Sequence, residues 1–149
     1  MLHTICYAIR GVLESGLLLR NEQFIKAAKL PSDRLLEVCS GAEFPPGRFD
    51  RNWKSTVDWS CLTGDAQLAI IWLKLYQITG EKKYLDGAGK LICFVKSTQN
   101  CTSANPGLRG GIKGSYPFGG QYGKYQILNW ANKFFIDALL LDSRVKQNQ

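Results

Sequence analysis

Apolar positions along the chain recur at helical spacing and form two kinds of segment. In the first kind, about residues 4–18, 63–78 and 125–141, bulky apolar side chains occur on nearly every face of the predicted helix. In the second kind, about residues 21–38 and 81–98, a polar helix carries one apolar stripe. The first kind requires burial on all sides and the second on one side. No alternation typical of strands occurs, so the sequence predicts an all-α protein.

An internal repeat of about sixty residues relates these segments. Aligning "VLESGLLLRNEQFIKAA" with "WLKLYQITGEKKYLDGA" pairs Leu13 with Leu73 and Ala28 with Ala88. Each full unit is a helical hairpin, and "YQILNWANKFFIDALLLDS" supplies only the first helix of a third unit. The apolar helices are expected to form an inner layer and the amphipathic helices an outer layer.

Residues at the ends of the predicted helices are typical of caps. Gly80 is a candidate left-handed stop, and Thr63 is expected to cap the helix that it opens, with Asp65 adding a favourable charge in the first turn. Pro31 is expected to kink or restart the second helix, with Ser32 as its local cap.

Two motifs resemble those of a known superfamily. The stretches "TGDAQ" at 63–67 and "TGEKKYLDGAGK" at 79–90 are similar to those of α/α-toroid proteins, which include N-acylglucosamine 2-epimerase-like enzymes, unsaturated glucuronyl hydrolases, lanthionine cyclases and prenyltransferase-like proteins. The nearest likeness is to uncharacterised toroid proteins associated with polysaccharide metabolism. The resemblance implies a partial toroid of about two and a half hairpins, with residues 1–149 as one domain of a larger toroid or of an oligomer.

Connections between the predicted helices differ greatly in length at the two ends of the array. The links near Arg20 and Gly80 are very short, whereas the returns at about 40–62 and 99–122 are long and rich in Gly, Pro and aromatic residues. Long loops in a compact domain are usually functional or disordered. Because every return arrives where an inner helix begins, the three inner-helix N-termini are expected to form one concave, anion-friendly site.

Three residues are candidates for catalysis at that site. His3 is the only histidine in the chain and a natural general base or acid near neutral pH, although a helix-terminal His is often a packing residue. Asp58 and Asp65 are candidates for the carboxylate pair that glycoside cleavage requires. Asp65 is equally explained as a favourable first-turn charge.

Further residues near the predicted helix N-termini are candidates for substrate binding through flat, charged or amide side chains. These are Tyr7, Arg10, Trp59, Gln67, Lys113, Tyr116, Tyr122 and Trp130. Several lie in or beside "GGIKGSYPFGGQYGKY", which matches neither a dinucleotide fingerprint nor a P-loop. That segment is either a substrate-facing rim or a flexible connector.

Charge and cysteine usage narrow the class of function. The formal charge is +7, with basic residues spread along the chain and no nucleic-acid module, which favours an anionic saccharide over a nucleic acid. Five cysteines without a C-x-x-C pair are typical of a protein in a reducing cytoplasm.

Cys61 in "WSCLTG" faintly resembles the zinc ligand of lanthionine cyclases but lacks partner ligands, so neither a metal nor a cofactor is expected. The apolar N-terminal segment is interrupted by Arg10 and Glu14, so no membrane association is expected.

The sequence therefore leaves alternatives for function. The first is an enzyme of glycoside hydrolase, lyase or epimerase type that acts on an anionic saccharide. The second is a non-catalytic glycan-binding or assembly module, and a prenyltransferase-like or cyclase-like toroid is weaker because no aspartate-rich motif occurs. A homo-oligomer or a partner chain is expected, because an open array would expose Trp72, Phe134 or Phe135.

Overall fold

The computed structural model describes residues 1–147, which form five α-helices and one small pair of strands. The helices are α1 Leu2–Leu18, α2 Glu22–Ser40, α3 Leu62–Thr79, α4 Lys82–Ser97 and α5 Asn129–Gln147. Strands β1 Ser60–Cys61 and β2 Ser115–Tyr116 pair antiparallel. The predicted all-α class and the two helical hairpins, α1 with α2 and α3 with α4, are confirmed.

Helix α3 lies at the centre of the fold. It packs against α1, α4 and α5, while α2 packs mainly against α1. Residues 62–73 are all buried, as expected for a helix that is apolar on every face. The Trp72 indole N–H donates a hydrogen bond to the Ser32 carbonyl at 3.3 Å, which ties the central helix to α2. The helices therefore form two layers, an inner one of α1, α3 and α5 and an outer one of α2 and α4.

Two helix ends are set by nearby residues, one by a glycine and one by an asparagine cap. Gly80 ends α3 in the left-handed conformation with φ at 70°, and its N–H donates to the Tyr76 carbonyl, so the predicted stop is confirmed. Asn21 caps α2 by accepting hydrogen bonds from the backbone N–H groups of Gln23 and Phe24. The sequence analysis did not identify that cap.

Helix α2 is continuous through Pro31, so the restart predicted at this proline is wrong. Ser32 does not cap a new helix; its hydroxyl donates to the Ala28 carbonyl at 2.7 Å. The buried residues Ala28 and Leu35 on either side of Pro31 hold both halves of α2 against the core. Tertiary packing therefore outweighs the loss of one helical hydrogen bond at the proline.

One predicted cap and one predicted helix start are also wrong. Helix α3 begins at Leu62 with Cys61 at the cap position, so Thr63 lies inside the helix and caps nothing. The fifth helix runs Asn129–Gln147 rather than 125–141. Residues 125–128 instead belong to an irregular loop, where Lys113 and Ile127 form an isolated bridge and the Leu128 N–H donates to the Ile112 carbonyl at 3.0 Å.

A cluster of charged side chains joins α2 to α4. Asp33 accepts hydrogen bonds from the Tyr84 hydroxyl at 2.6 Å and the Lys29 amine at 2.9 Å, and it pairs with Lys83 at 2.8 Å. Burial works to raise the pKa of Asp33, but these three partners outweigh it and lower the pKa to about 2. The carboxylate therefore stays ionised and holds the two outer helices together.

The predicted exposure of Trp72, Phe134 and Phe135 is wrong, because all three are buried. Helices α1 and α5 approach each other beside α3, where the rings of Tyr7 and Phe134 meet edge to face at 5.8 Å. Packing on α3 thus covers the aromatic side chains that were expected to be exposed.

We still predict that the chain associates with a second copy, but through other exposed side chains than those named in the sequence analysis. Large apolar side chains are exposed at the C-terminal end of α1 and along α5, namely Leu18, Leu19, Ile136 and Leu140. Such side chains are expected to be covered by a second copy. Light scattering at high protein concentration is expected to give a mass above that of one chain, and a strictly monomeric particle would contradict the prediction.

Candidate functional site

The N-termini of α1 and α3 and the segment before α5 meet at one end of the fold. The Leu2 N–H donates to the Gly47 carbonyl at 2.9 Å, and the Gly47 N–H donates to the Trp59 carbonyl at 2.8 Å. The Leu62 N–H donates to the Gly114 carbonyl at 3.1 Å. Both long returns are thereby tied to the beginnings of the helices that they reach.

Four aromatic side chains cover this end, and we call them the mouth: His3 and Tyr7 from α1, Tyr122 from the loop, and Trp130 from α5. The His3 and Tyr122 rings lie 4.4 Å apart between centroids. The Trp130 indole N–H donates to the Tyr122 hydroxyl at 3.0 Å, and Tyr7 presents an edge to His3 at 6.2 Å. The mouth thus unites residues that are far apart in sequence.

Two polar side chains of α3, Thr63 and Gln67, are buried near the start of that helix. Both are fully buried, and the Gln67 amide has no hydrogen-bond partner within residues 1–147. They lie one turn apart on one face of α3. Burial raises the pKa of Tyr122, while the Trp130 indole and the Thr63 hydroxyl beside the phenol lower it.

Positive charge is in excess along the same flank of α1. Arg10 lies 3.6 Å from a Glu14 carboxylate oxygen, and Lys74 of α3 lies 2.9 Å from the same oxygen. The Arg10 guanidinium also lies over the Phe134 ring at 5.9 Å. Two cations therefore share one carboxylate, and of the two Arg10 is the one that lies over Phe134, whose ring contacts Tyr7 of the mouth.

His3 has an environment that favours its neutral form. Burial lowers the pKa of His3, so the imidazole is mainly unprotonated at pH 7. Its Nδ1 lies 3.9 Å from the Cys61 sulfur, and its Nε2 lies 3.4 Å from the Thr4 hydroxyl. A neutral imidazole at the rim is able to accept a proton.

Asp65 lies apart from the mouth. It is fully buried, one carboxylate oxygen accepts from the Ser60 hydroxyl at 2.6 Å, and the other has no partner among the described residues. Two residues along a helix correspond to a rotation of about 200°, so Asp65 projects from the face of α3 opposite Thr63. Burial raises the pKa of Asp65 well above the usual carboxyl range.

Asp58 has a different environment. It is exposed and lines a shallow depression with Trp59, Pro117, Gly120 and Gln121. Because Asp65 is enclosed, no surface that a substrate reaches in this conformation contacts both carboxylates.

Three other predicted binding residues do not contribute to the mouth. Trp59 is 5% exposed and packs so closely on Gly47 and Gly120 that a Cβ at either glycine would clash with it. The Tyr116 ring packs edge-on against Phe44 and Phe94 on the α4 side.

Lys113 likewise lies elsewhere in the loop. Its amine lies over the Phe118 ring, 5.4 Å from the ring centroid. Of the eight predicted binding residues, the structure therefore groups Tyr7, Arg10, Tyr122 and Trp130.

The sequence analysis did not assign Thr63 and Cys61 to this site. Thr63 was interpreted as a cap, and Cys61 as a cysteine without the partner ligands of a zinc site. Burial and the nearby Asp65 raise the pKa of Cys61 to about 12, so its thiol stays protonated beneath His3. Within residues 1–147 no cluster of His, Cys, Asp or Glu side chains is suited to hold a metal ion.

No helix in the described part of the chain is both long enough and apolar enough to cross a membrane.

Comparisons with known proteins assign neither a family nor a function to the chain. No protein-family model matches the sequence, and no curated protein or solved structure is significantly similar to it.

Proposed function

We propose that the mouth binds an anionic saccharide. The observation that carries this proposal is the pair of half-exposed aromatic side chains at its edges, Tyr7 at 51% and Trp130 at 46% exposure. Tyr and Trp offer a flat apolar body with a polar tip, which suits the C–H face and the hydroxyls of a sugar ring. A few polar groups beside aromatic walls are typical of small-molecule sites.

Charge supports an anionic rather than a neutral ligand. Arg10 lies over the Phe134 ring, which contacts Tyr7 of the mouth, and the first turns of α1 and α5 contain no acidic residue. The positive ends of these helices are therefore not neutralised by a side chain of their own first turn. A uronate carboxylate or a sulfate group fits this environment.

The geometry favours binding without glycosidic cleavage. Cleavage requires two carboxylates that flank the scissile bond, whereas Asp65 is enclosed and Asp58 is exposed in a separate depression. We therefore favour a non-catalytic saccharide-binding module, built as part of an α/α-toroid. Two hairpins and a further inner helix support that architecture.

A proton-transfer enzyme is the second candidate, favoured by the environment of His3. Its imidazole is neutral because burial lowers the pKa, so it is able to serve as a general base toward a saccharide in the mouth. Product formation from an oligogalacturonate, lost in His3→Ala but with binding retained, would establish this candidate. Binding without any product would favour the non-catalytic module.

Replacing the aromatic side chains at the edges of the mouth is expected to weaken saccharide binding. Trp130→Ala and Tyr7→Ala are each expected to raise the dissociation constant for an oligogalacturonate by roughly tenfold, since each removes a stacking surface. Titration calorimetry measures the effect. Tyr125→Ala is a matched control, because Tyr125 is 64% exposed and packs against Phe118. An equal loss in the control, or no binding of any uronate oligosaccharide, would contradict the proposal.

A further inference from the structure

A cavity that none of the mouth residues lines lies between α2 and α4. Its volume is about 220 Å³. Its apolar walls come from four parts of the chain and include Leu36 of α2, Phe44 of the first long return, Trp72 of α3, and Leu91 and Phe94 of α4. A dry protein cavity of roughly 150 Å³ accommodates a benzene molecule. The cavity is therefore large enough for one aromatic ring with a short substituent.

Three aromatic side chains of this cavity are held in place by contacts outside it. The Trp72 indole N–H donates a hydrogen bond to the Ser32 carbonyl at 3.3 Å. The Tyr116 ring packs edge-on against Phe44 at 5.6 Å and against Phe94 at 5.5 Å between centroids. A ligand ring that enters the cavity therefore meets aromatic surfaces that are already ordered, which reduces the entropy lost on binding.

The cavity is closely packed where α4 approaches α3. A Cβ at Gly87 would lie 2.6 Å from a Leu36 methyl carbon and 3.0 Å from a Trp72 ring carbon. All three residues line the cavity. A residue with a side chain at position 87 would therefore push on the walls, so glycine here preserves the shape of the cavity.

Two opposite charges lie at the opening of the cavity. Glu43 of the first long return and Lys90 of α4 both line it, and both are exposed. Within residues 1–147 neither side chain has an ion pair, whereas the other four glutamates each lie within ion-pair distance of a cation. The two charges are therefore available to a ligand that carries both an ammonium and a carboxylate group.

We propose that this cavity is a second binding site, which takes a free amino acid with an aromatic side chain. The ring lies against Trp72, Phe44 and Phe94, since aromatic rings favour edge-on and offset contacts with one another. The carboxylate faces Lys90 and the ammonium faces Glu43. Exposed ion pairs contribute little free energy, so the ring supplies most of the affinity and the charges supply the selectivity for a zwitterion.

Cys39 reports occupancy of the cavity directly. It lines the cavity and is partly exposed, whereas Cys6 and Cys61 are buried. In a chain carrying Cys93→Ser and Cys101→Ser, which removes the two exposed thiols, Cys39 is therefore the most accessible cysteine. Burial raises the pKa of Cys39 to about 12, so alkylation by iodoacetamide is measured at about pH 9, where more thiolate forms. Mass spectrometry reads the modified residue.

L-Phenylalanine is expected to protect Cys39. Its dissociation constant is first measured by NMR titration, and at ten times that concentration it is expected to slow alkylation of Cys39 about tenfold. Glycine at the same concentration has the charges without the ring and is expected to give no protection. No detectable binding of L-phenylalanine, or binding that leaves the alkylation rate of Cys39 unchanged, would overturn the proposal.

The charge assignment is tested with two ligands that each carry one charge. Lys90→Gln is expected to weaken binding of phenylacetate roughly three- to fivefold and to leave phenethylamine unaffected, and Glu43→Gln is expected to do the reverse. Both variants are expected to weaken L-phenylalanine. Lys96→Gln and Glu37→Gln are the matched controls, since both residues are exposed and neither lines the cavity. Equal effects of Lys90→Gln and Glu43→Gln on both single-charge ligands would overturn the assignment.

The cavity and the mouth are expected to act independently. Trp130→Ala is expected to leave binding of L-phenylalanine unchanged, because Trp130 does not line the cavity. Loss of oligogalacturonate binding alone would therefore contradict only the proposed function of the mouth, and loss of L-phenylalanine binding in Trp130→Ala would overturn the separate site.

Discussion

Asp65→Asn is expected to raise the free energy of unfolding at pH 7 by roughly 2 kcal/mol. The Asp65 side chain is fully buried, and only one of its oxygens has a partner, the Ser60 hydroxyl at 2.6 Å. An ionised carboxylate in that position lacks the cation or additional donors that would compensate for its lost hydration. Asparagine has the same shape, keeps an acceptor for Ser60, and carries no charge.

The gain is expected to depend on pH in a defined direction. Burial raises the folded-state pKa of Asp65 well above the unfolded value, and the Ser60 hydrogen bond opposes this only in part. The neutral carboxyl therefore favours the fold fully below the unfolded pKa, and this contribution is lost as the pH rises toward the folded pKa. Urea unfolding from pH 4 to pH 8 is expected to show the difference between variant and parent growing with pH.

Asp58→Asn is the matched control for this prediction. Asp58 is exposed, so the same change is expected to alter stability by less than about 0.5 kcal/mol at any pH in that range. Destabilisation by Asp65→Asn at pH 7 would show that an ionised Asp65 supports the fold. A loss of saccharide turnover at unchanged stability would instead restore Asp65 as a catalytic residue.

The helices and their pairing were predictable because the signals that define them are local. Apolar periodicity gave the inner and outer helices, and Gly80 marked the end of α3 because glycine adopts a positive φ without strain. The start of α5 was not predictable in this way. Residues 125–128 have a helical pattern, but contacts with the distant residues Ile112 and Lys113 hold them in a loop.

The position of the candidate site followed from topology, whereas the orientation of its side chains did not. The alternation of short links and long returns requires the inner helices to begin at one end. The face of α3 that meets α1 depends on long-range packing. The rotation of α3 about its axis places Thr63 and Gln67 on one side of the helix and Asp65 on the other. Likewise Trp59 is buried because Gly47 and Gly120 leave room for its ring, a pairing that no local pattern indicates.

Gly64→Ala is expected to lower the free energy of unfolding by about 1–3 kcal/mol. A Cβ at Gly64 would lie 2.7 Å from a Leu2 side-chain carbon and 2.9 Å from the His3 backbone nitrogen. Leu2 is fully buried, and the backbone of His3 cannot yield without moving the first turn of α1. The added methyl group is therefore expected to push α1 away from α3 at the mouth.

Gly89→Ala is the matched control, because a Cβ at that helical position meets nothing within 4 Å. It is expected to stabilise the chain by about 1 kcal/mol, the ordinary gain from replacing glycine inside a helix. The two variants make the same chemical change in neighbouring helices and are expected to shift the urea midpoint in opposite directions. Since the His3 backbone packs on Gly64, the Gly64 variant should also weaken oligogalacturonate binding, while Gly89→Ala should not. Stabilisation by both changes would show that α1 does not approach α3 as closely as these contacts require.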